Sequence, residues 1–237
     1  MDEPGSKRRS KRGRGRMHDA EGAREAILNA GEKVFAEHGF DGARIDAIAK
    51  VSGYNKSLIF QYFGDKLGLY AAVIRRADEH TRTWQNEALS ALSATEPDKS
   101  VDQIKNLLRM YVGEYFDYLV EHPQIMRIYN WEMAEGWQTM SKIFTQRDFD
   151  DVDEFAPVLA KLQNAGLLRS GLDPLLQFST AIFMVALYLA IPPLYKTLMP
   201  GVDFSSTAEL AHAREFVVDF VAHGLLVTPA KAKLRKK

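Results

Sequence analysis

The sequence predicts an all-α fold: a small N-terminal domain of three helices, followed by a larger and wholly helical domain. Three observations point there. Apolar residues recur at three- and four-residue spacing along nearly the whole chain, the signature of amphipathic helices. No stretch of useful length alternates with a period of two, and no internal repeat is present. The periodic stretches are separated by Gly, Pro and capping Asp, the residues that end and start helices.

Residues 1–17 read as a disordered basic arm. Lys7, Arg8, Arg9, Lys11, Arg12, Arg14 and Arg16 fall within ten residues that hold two glycines and no apolar side chain. Asp19 is placed to cap a first helix carrying Ala26, Ile27, Ala30, Val34 and Phe35, and Gly39 ends it. A short helix follows from about Arg44 to Val51, then the turn Ser52-Gly53-Tyr54, then a second short helix from about Asn55 to Tyr62. Gly64-Asp65 breaks the chain, and Asp65 caps a long helix to about Leu92.

Pro97-Asp98 opens a helix that reaches Glu121, with Ile104, Leu107, Leu108, Tyr111, Tyr115 and Leu119 on its apolar stripe. His122-Pro123 stops it, because the residue before proline avoids the helical region. Helices are expected at about 124–134, 137–147 and 150–165, with breaks near Gly136 and Gly166. Asp173-Pro174, an N-cap followed by proline at the first helical position, starts a helix to about Ile191. The last helix, about Ala208 to Val227, precedes a basic tail at 230–237.

Composition narrows the function. The 237 residues are 46% apolar and 26% charged, enough to bury a core, and include no cysteine. Disulfides, thiolate nucleophiles and cysteine-ligated metals are therefore excluded. The formal net charge of zero hides an asymmetry: residues 1–75 are net +4, 76–229 net −9 and 230–237 net +5. Positive ends on an acidic body suggest that the ends meet a polyanion. No apolar run suited to secretion follows the basic N-terminus. The most apolar segment, Ala181–Tyr195, is too short for a membrane span and contains Pro192-Pro193. It reads as a helix buried on most sides, in a core or a subunit interface, and the chain is expected to be cytoplasmic.

Residues 44–62 form a helix-turn-helix candidate. Gly53 allows the sharp turn. Ile48, Ala49, Ile59 and Phe63 would pin the two short helices to the first. Asn55, Lys56, Ser57, Leu58, Gln61 and Tyr62 are left for the outer face. Asn and Gln can read base edges, Lys and Tyr can hold phosphates, and Leu can meet a thymine methyl. A plain helical hairpin is the alternative for this pattern. The Arg-rich arm weighs towards DNA, since such segments enter minor grooves.

The stretch GFDGARIDAIAKVSGYNKSLIFQYFGDK, Gly39 to Lys66, resembles the DNA-binding region of the TetR/AcrR-like family of bacterial transcriptional regulators. It keeps Gly39, Phe40, Ile48, Ala49, Gly53, Lys56, Ile59, Phe63 and Lys66 of that pattern. The resemblance implies a homodimeric repressor, or less often an activator, with DNA-binding residues 18–66. Residues 67–229 would form a domain that binds a small molecule and dimerises through the last two helices. Lys66 joins the expected DNA contacts on this basis. Ala43 and Arg44 replace the family's threonines, so a hydroxyl cap is lost. Arg44 can still reach phosphate, and Asp41 is the candidate substitute cap. Phe60 stands where the family has a phosphate-binding tyrosine, which shifts that contact to Tyr62 and the arm. Arg12-Gly13-Arg14-Gly15-Arg16 is similar to an AT-hook core without its proline, giving Arg12, Arg14 and Arg16 either a minor-groove role or a solubilising one.

Residues 110–195 are rich in aromatics, which line ligand pockets when joined by a few polar groups and otherwise fill cores. Tyr111, Tyr115, Trp131, Phe155 and Phe178, with the polar Arg127, Asn130 and Gln177, are the candidate lining for an apolar or aromatic effector. No motif for acyl transfer, nucleotide binding or zinc hydrolysis is present, so no enzyme, cofactor or metal is expected. The expected partners are double-stranded operator DNA, the effector and a second copy of the chain, with no membrane. The rival reading is a helical adaptor whose basic ends bind nucleic acid or anionic membrane without sequence preference.

Overall fold

The computed structural model describes residues 8–94, 101–145 and 151–227, with the side chains of 8–18 and 151–154 outside the description. The expected start at Pro97-Asp98, the basic tail at 230–237 and the side chains of Arg12, Arg14 and Arg16 lie outside the described residues. The described chain forms eleven helices and one isolated antiparallel bridge, Leu168 to Leu226.

They are α1 Arg8–Gly42, α2 Ile45–Ser52, α3 Lys56–Phe63, α4 Lys66–Ala94, α5 Val101–Glu121, α6 Pro123–Ala134, α7 Gln138–Phe144, α8 Asp151–Asn164, α9 Pro174–Ala190, α10 Pro192–Leu198 and α11 Thr207–Leu225. The expected caps hold at two starts. Asp65 Oδ1 accepts from Gly68 N at 2.7 Å, and Asp173 Oδ1 accepts from Leu175 N and Leu176 N at 3.0 and 3.1 Å. Asp19 does not start a helix, because α1 already runs from Arg8. The arm was expected to be irregular, but Arg and Lys are good helix formers and two glycines do not outweigh them. One helix was expected to Ile191. It ends at Ala190, close to that bound, and Pro192 then begins a further short helix, since proline is favoured at a first helical position as well as after a last one.

Contacts divide the chain into two compact units. One runs to Ala77 and takes in Arg127–Thr139. The other holds Asp78–Met126 and the chain from Met140 onward. The first unit thus extends past residue 66 and takes in residues of α6.

In the first unit Ile27, Phe35, Ile48, Ile59 and Leu69 are fully buried, so α1 to α4 share one core. Tyr70 lies edge-on to both Phe35 (4.8 Å between ring centres) and Phe40 (5.2 Å). Its hydroxyl donates to the buried Glu132 at 2.7 Å, and the Trp131 indole N–H donates to Ala36 O at 3.3 Å. These bonds bring the end of α6 into the unit. Burial and the hydrogen bond to Glu132 push the Tyr70 pKa far up, so the phenol keeps its proton and remains the donor.

In the second unit α5 is the central element, with Ile104, Leu108, Val112, Phe116 and Leu119 buried. α9 and α11 both pack on it. Arg214 of α11 crosses Gly113 of α5 and grips Asp117 with two nitrogens, Nε to Oδ1 and Nη2 to Oδ2, both at 2.8 Å. No single helix among the described residues is long and apolar enough to cross a membrane. α9 and α10 reach that length only together, and they bend by 43°. Of the two expected settings for Ala181–Tyr195, a core or a subunit interface, burial within the chain is only partial: Ala181, Val185 and Ala186 are buried. Leu187 and Leu194 are 58% and 61% exposed.

A Cβ on Gly113 would stand 2.5 Å from the Arg214 guanidinium. Gly113→Ala is expected to displace it and cost about 1 kcal/mol, the scale of a partly exposed charge-assisted pair. A double-mutant cycle with Asp117→Ala, read by urea unfolding, checks this: the cost of Gly113→Ala should shrink when Asp117 is absent.

Candidate nucleic-acid interface

The reading face is built from the turn outward. Gly53 takes φ 78° and its N–H bonds Ala49 O at 3.0 Å, a left-handed close that few other residues adopt cheaply. The chain then starts α3, where Asn55 Oδ1 accepts from Leu58 N at 2.9 Å. Ile59 is fully buried, which fixes the rotation of α3. Lys56, Ser57, Phe60 and Gln61 are exposed and share one helical face. Leu58 and Tyr62 are half-buried on the other flanks, with Tyr62 tilted on Phe63 at 6.2 Å. Arg24 of α1 stands 5.6 Å over the Phe63 ring and braces α3 from behind.

Several expected contacts stand differently. Asn55 is exposed, and its side-chain oxygen is engaged in the cap of α3. Arg44 is exposed at the N-cap of α2 with no side-chain cap bond there, so Asp41 does not replace the lost hydroxyl. Lys56 is paired with Asp46 at 2.5 Å. Lys66, expected on DNA, bonds the carbonyls of Phe40 (2.8 Å) and Ala43 (3.2 Å), reaches Asp41 O at 3.5 Å, and lies 4.4 Å over the Phe40 ring. It fastens the turn between α1 and α2. Phe60, 44% exposed, joins the reading face although the sequence reading gave it no contact. Its helical spacing from Lys56 was the available signal.

The expected ligand residues fall into two groups. In the second unit the Tyr111 ring meets Trp84, Phe178 and Phe155 at 4.9, 5.3 and 5.8 Å, and Phe155 stacks on Phe178 at 5.9 Å. Tyr115 is buried on the same helix, α5. Gln177, next to Phe178, has a buried side-chain oxygen that no donor among the described residues meets. Arg127, Asn130 and Trp131 belong to the first unit, where they line a hollow of about 200 Å³. Trp131 is committed there to Ala36 O and to the backbone at Gly39, which takes φ 67°. Trp84 is the aromatic that the sequence reading missed, because it lies outside the aromatic-rich segment. Among the described residues no three His, Asp or Glu side chains are grouped to hold a metal.

Residues 27–73 match the model of bacterial regulatory proteins of the tetR family, and 105–221 match a tetracyclin repressor-like C-terminal domain. The chain belongs to the TetR family. It is 33% identical over 113 residues to the HTH-type transcriptional repressor NicS of Pseudomonas putida, covering 48% of this chain and 49% of NicS. It is 30% identical over 152 residues to the HTH-type transcriptional regulator RutR of Escherichia coli O157:H7, covering 64% of this chain and 66% of RutR. The matched stretch thus spans about half to two thirds of these relatives. A TetR family transcription regulator from Marinobacter aquaeolei shares the fold, with a TM-score of 0.62 at 20% identity over 90% of this chain and all of that one.

Lys66→Met is expected to lower stability by about 1–2 kcal/mol through loss of charge-assisted bonds. It should leave the slope of log affinity against log salt for DNA unchanged, whereas loss of a phosphate contact would reduce it by about 0.9. Thermal unfolding and binding at several salt concentrations separate the two.

Glu135 of the first unit carries a raised pKa, from burial first and then from the charges of Asp41 and Glu132. A raised carboxyl pKa means that the fold holds the proton more tightly than the unfolded chain does. Its stabilising effect is full below the unfolded pKa and is lost as pH rises through the folded one. Glu135→Gln should therefore match the wild type in acid and exceed it in Tm at neutral pH.

Proposed function

We propose that this TetR-family chain is a cytoplasmic, homodimeric, sequence-specific transcriptional regulator, a repressor released from operator DNA by a small apolar or aromatic molecule. The observation that carries the reading is the face of α3. Four exposed side chains of mixed chemistry stand on a helix whose rotation is fixed by Ile59 and whose entry is fixed by Gly53. A helix so presented fits a major groove, with half-sites about 34–36 Å apart for two copies one turn apart. Ser57 and Gln61 are the base readers, with Lys56 and Arg44 on phosphate. Arg12, Arg14 and Arg16 add charge from the arm.

The dimer reading rests on the apolar surface of the second unit. Leu176, Leu187, Phe216 and Phe220 on α9 and α11 are 58%, 58%, 62% and 51% exposed, and the two phenylalanine rings stack at 6.0 Å. Such a surface is rare on a monomer and suits a second copy. The effector reading rests on the rings around Tyr111. α4 contributes to both units, so an effector that shifts it alters DNA affinity, and by linkage DNA weakens effector binding by the same factor.

Selection of bound duplexes from a random DNA pool tests the reading. A two-fold symmetric sequence is expected; binding without preference would favour the adaptor alternative. Phe216→Asp places a charge opposite its own copy, so it should split the dimer and abolish tight operator binding while helix content stays. Sedimentation of the wild type as a monomer at micromolar concentration would sink the dimer.

A further inference from the structure

We infer that the ring of Phe60 reads the 5-methyl group of a thymine in each operator half-site. The inference rests on the DNA-reading role proposed above and names a feature that the operator must carry.

Phe60 is 44% exposed on the face that α3 shares between Lys56, Ser57 and Gln61. It is the one apolar member of that face. Its backbone is fixed: Phe60 O accepts from Gly64 N at 2.8 Å, and the adjacent Ile59 is fully buried, so the side chain is held outward. A phenyl ring has no hydrogen-bonding group and cannot hold a phosphate. Lys56, one turn earlier, is paired with Asp46 at 2.5 Å.

The major-groove edge explains the match. Adenine, guanine and cytosine show the groove only donors and acceptors, while thymine adds a methyl group beside its acceptor. A ring pressed on a polar edge strips water from atoms it cannot pair, which is costly. Against a methyl group it removes apolar surface from water instead. The ring therefore favours thymine, and it disfavours cytosine, which differs there in lacking the methyl and carrying an amino group.

The test uses the full chain and the duplexes it selects. Each thymine of the half-site is replaced in turn by deoxyuridine, which removes the methyl group alone. Replacement at one position should weaken wild-type binding about fourfold per half-site, the scale of one buried methyl. Phe60→Ala should bind the thymine duplex more weakly and be insensitive to the replacement, while Phe60→Leu should retain part of the sensitivity. A 5-methylcytosine pair at that position should bind the wild type more tightly than a plain cytosine pair. Circular dichroism checks that both variants keep their helix content. If the wild type is indifferent to uracil at every thymine, or if Phe60→Ala remains equally sensitive, the ring rests on the sugar–phosphate or another residue meets the methyl, and the inference is overturned. If the pool yields no preferred sequence, the DNA-reading proposal itself falls, whereas a preferred sequence without a methyl-sensitive thymine sinks only the role of Phe60.

Discussion

A single ammonium group organises the N-terminal unit. Lys66 is the first residue of α4, yet its Nζ satisfies carbonyls at the end of α1 and in the link to α2. Those carbonyls have no helical partner of their own at a helix end, so a cation there answers both their hydrogen bonding and their partial charge. The same group lies over Phe40, whose ring leans on Tyr70, whose hydroxyl is held by Glu132. Through this series the position of α2, and with it the turn into α3, is referred to the core. The exposed face of α3 is held by helices braced in this way, not by a loop.

Much of this was legible because it is local. Gly39 and Gly53 mark breaks, Asp65 and Asp173 mark starts, and the spacing of Ile48 and Ile59 marks the inward faces, all within a turn or two of chain. Resemblance to the family supplied the rest of the N-terminal architecture. What was not legible is long-range or ambiguous in chemistry. The partners of Lys66 and Trp131 lie 26 and 95 residues away in sequence, and no periodicity encodes them. The amide of Asn55 can accept from a base or from its own helix, and the nearer donor won. Proline at 192 signals both an end and a beginning, and only one of these was read.

The second unit shows two uses of apolar surface. Around α5 the rings of Trp84, Tyr111, Phe155 and Phe178 meet edge to face or stacked, the arrangements that aromatic pairs favour. The side-chain oxygen of Gln177 beside them is buried and meets no donor among the described residues. Along α9 to α11 Leu176, Leu187, Leu194, Leu198, Phe216 and Phe220 are left outside, while Arg109 and Arg214 spend their charges on Glu215, Asp219 and Asp117 of the α5–α11 contact. The charged groups thus stitch helices within the chain, and the uncharged ones are what the unit presents.

Gly39 is subject to two separate restrictions. Its φ of 67° excludes most side chains on backbone grounds, and a Cβ there would press within 3.1 Å of both the Trp131 ring and the Glu135 carboxylate. Relief of one does not relieve the other. Every single-base change in its codon that alters the amino acid therefore meets a penalty. Substitution can proceed at the exposed positions of α3 while this position stays fixed. Change by single steps is thereby channelled into the exposed face of α3, and the non-helical turn at Gly39 is closed to it.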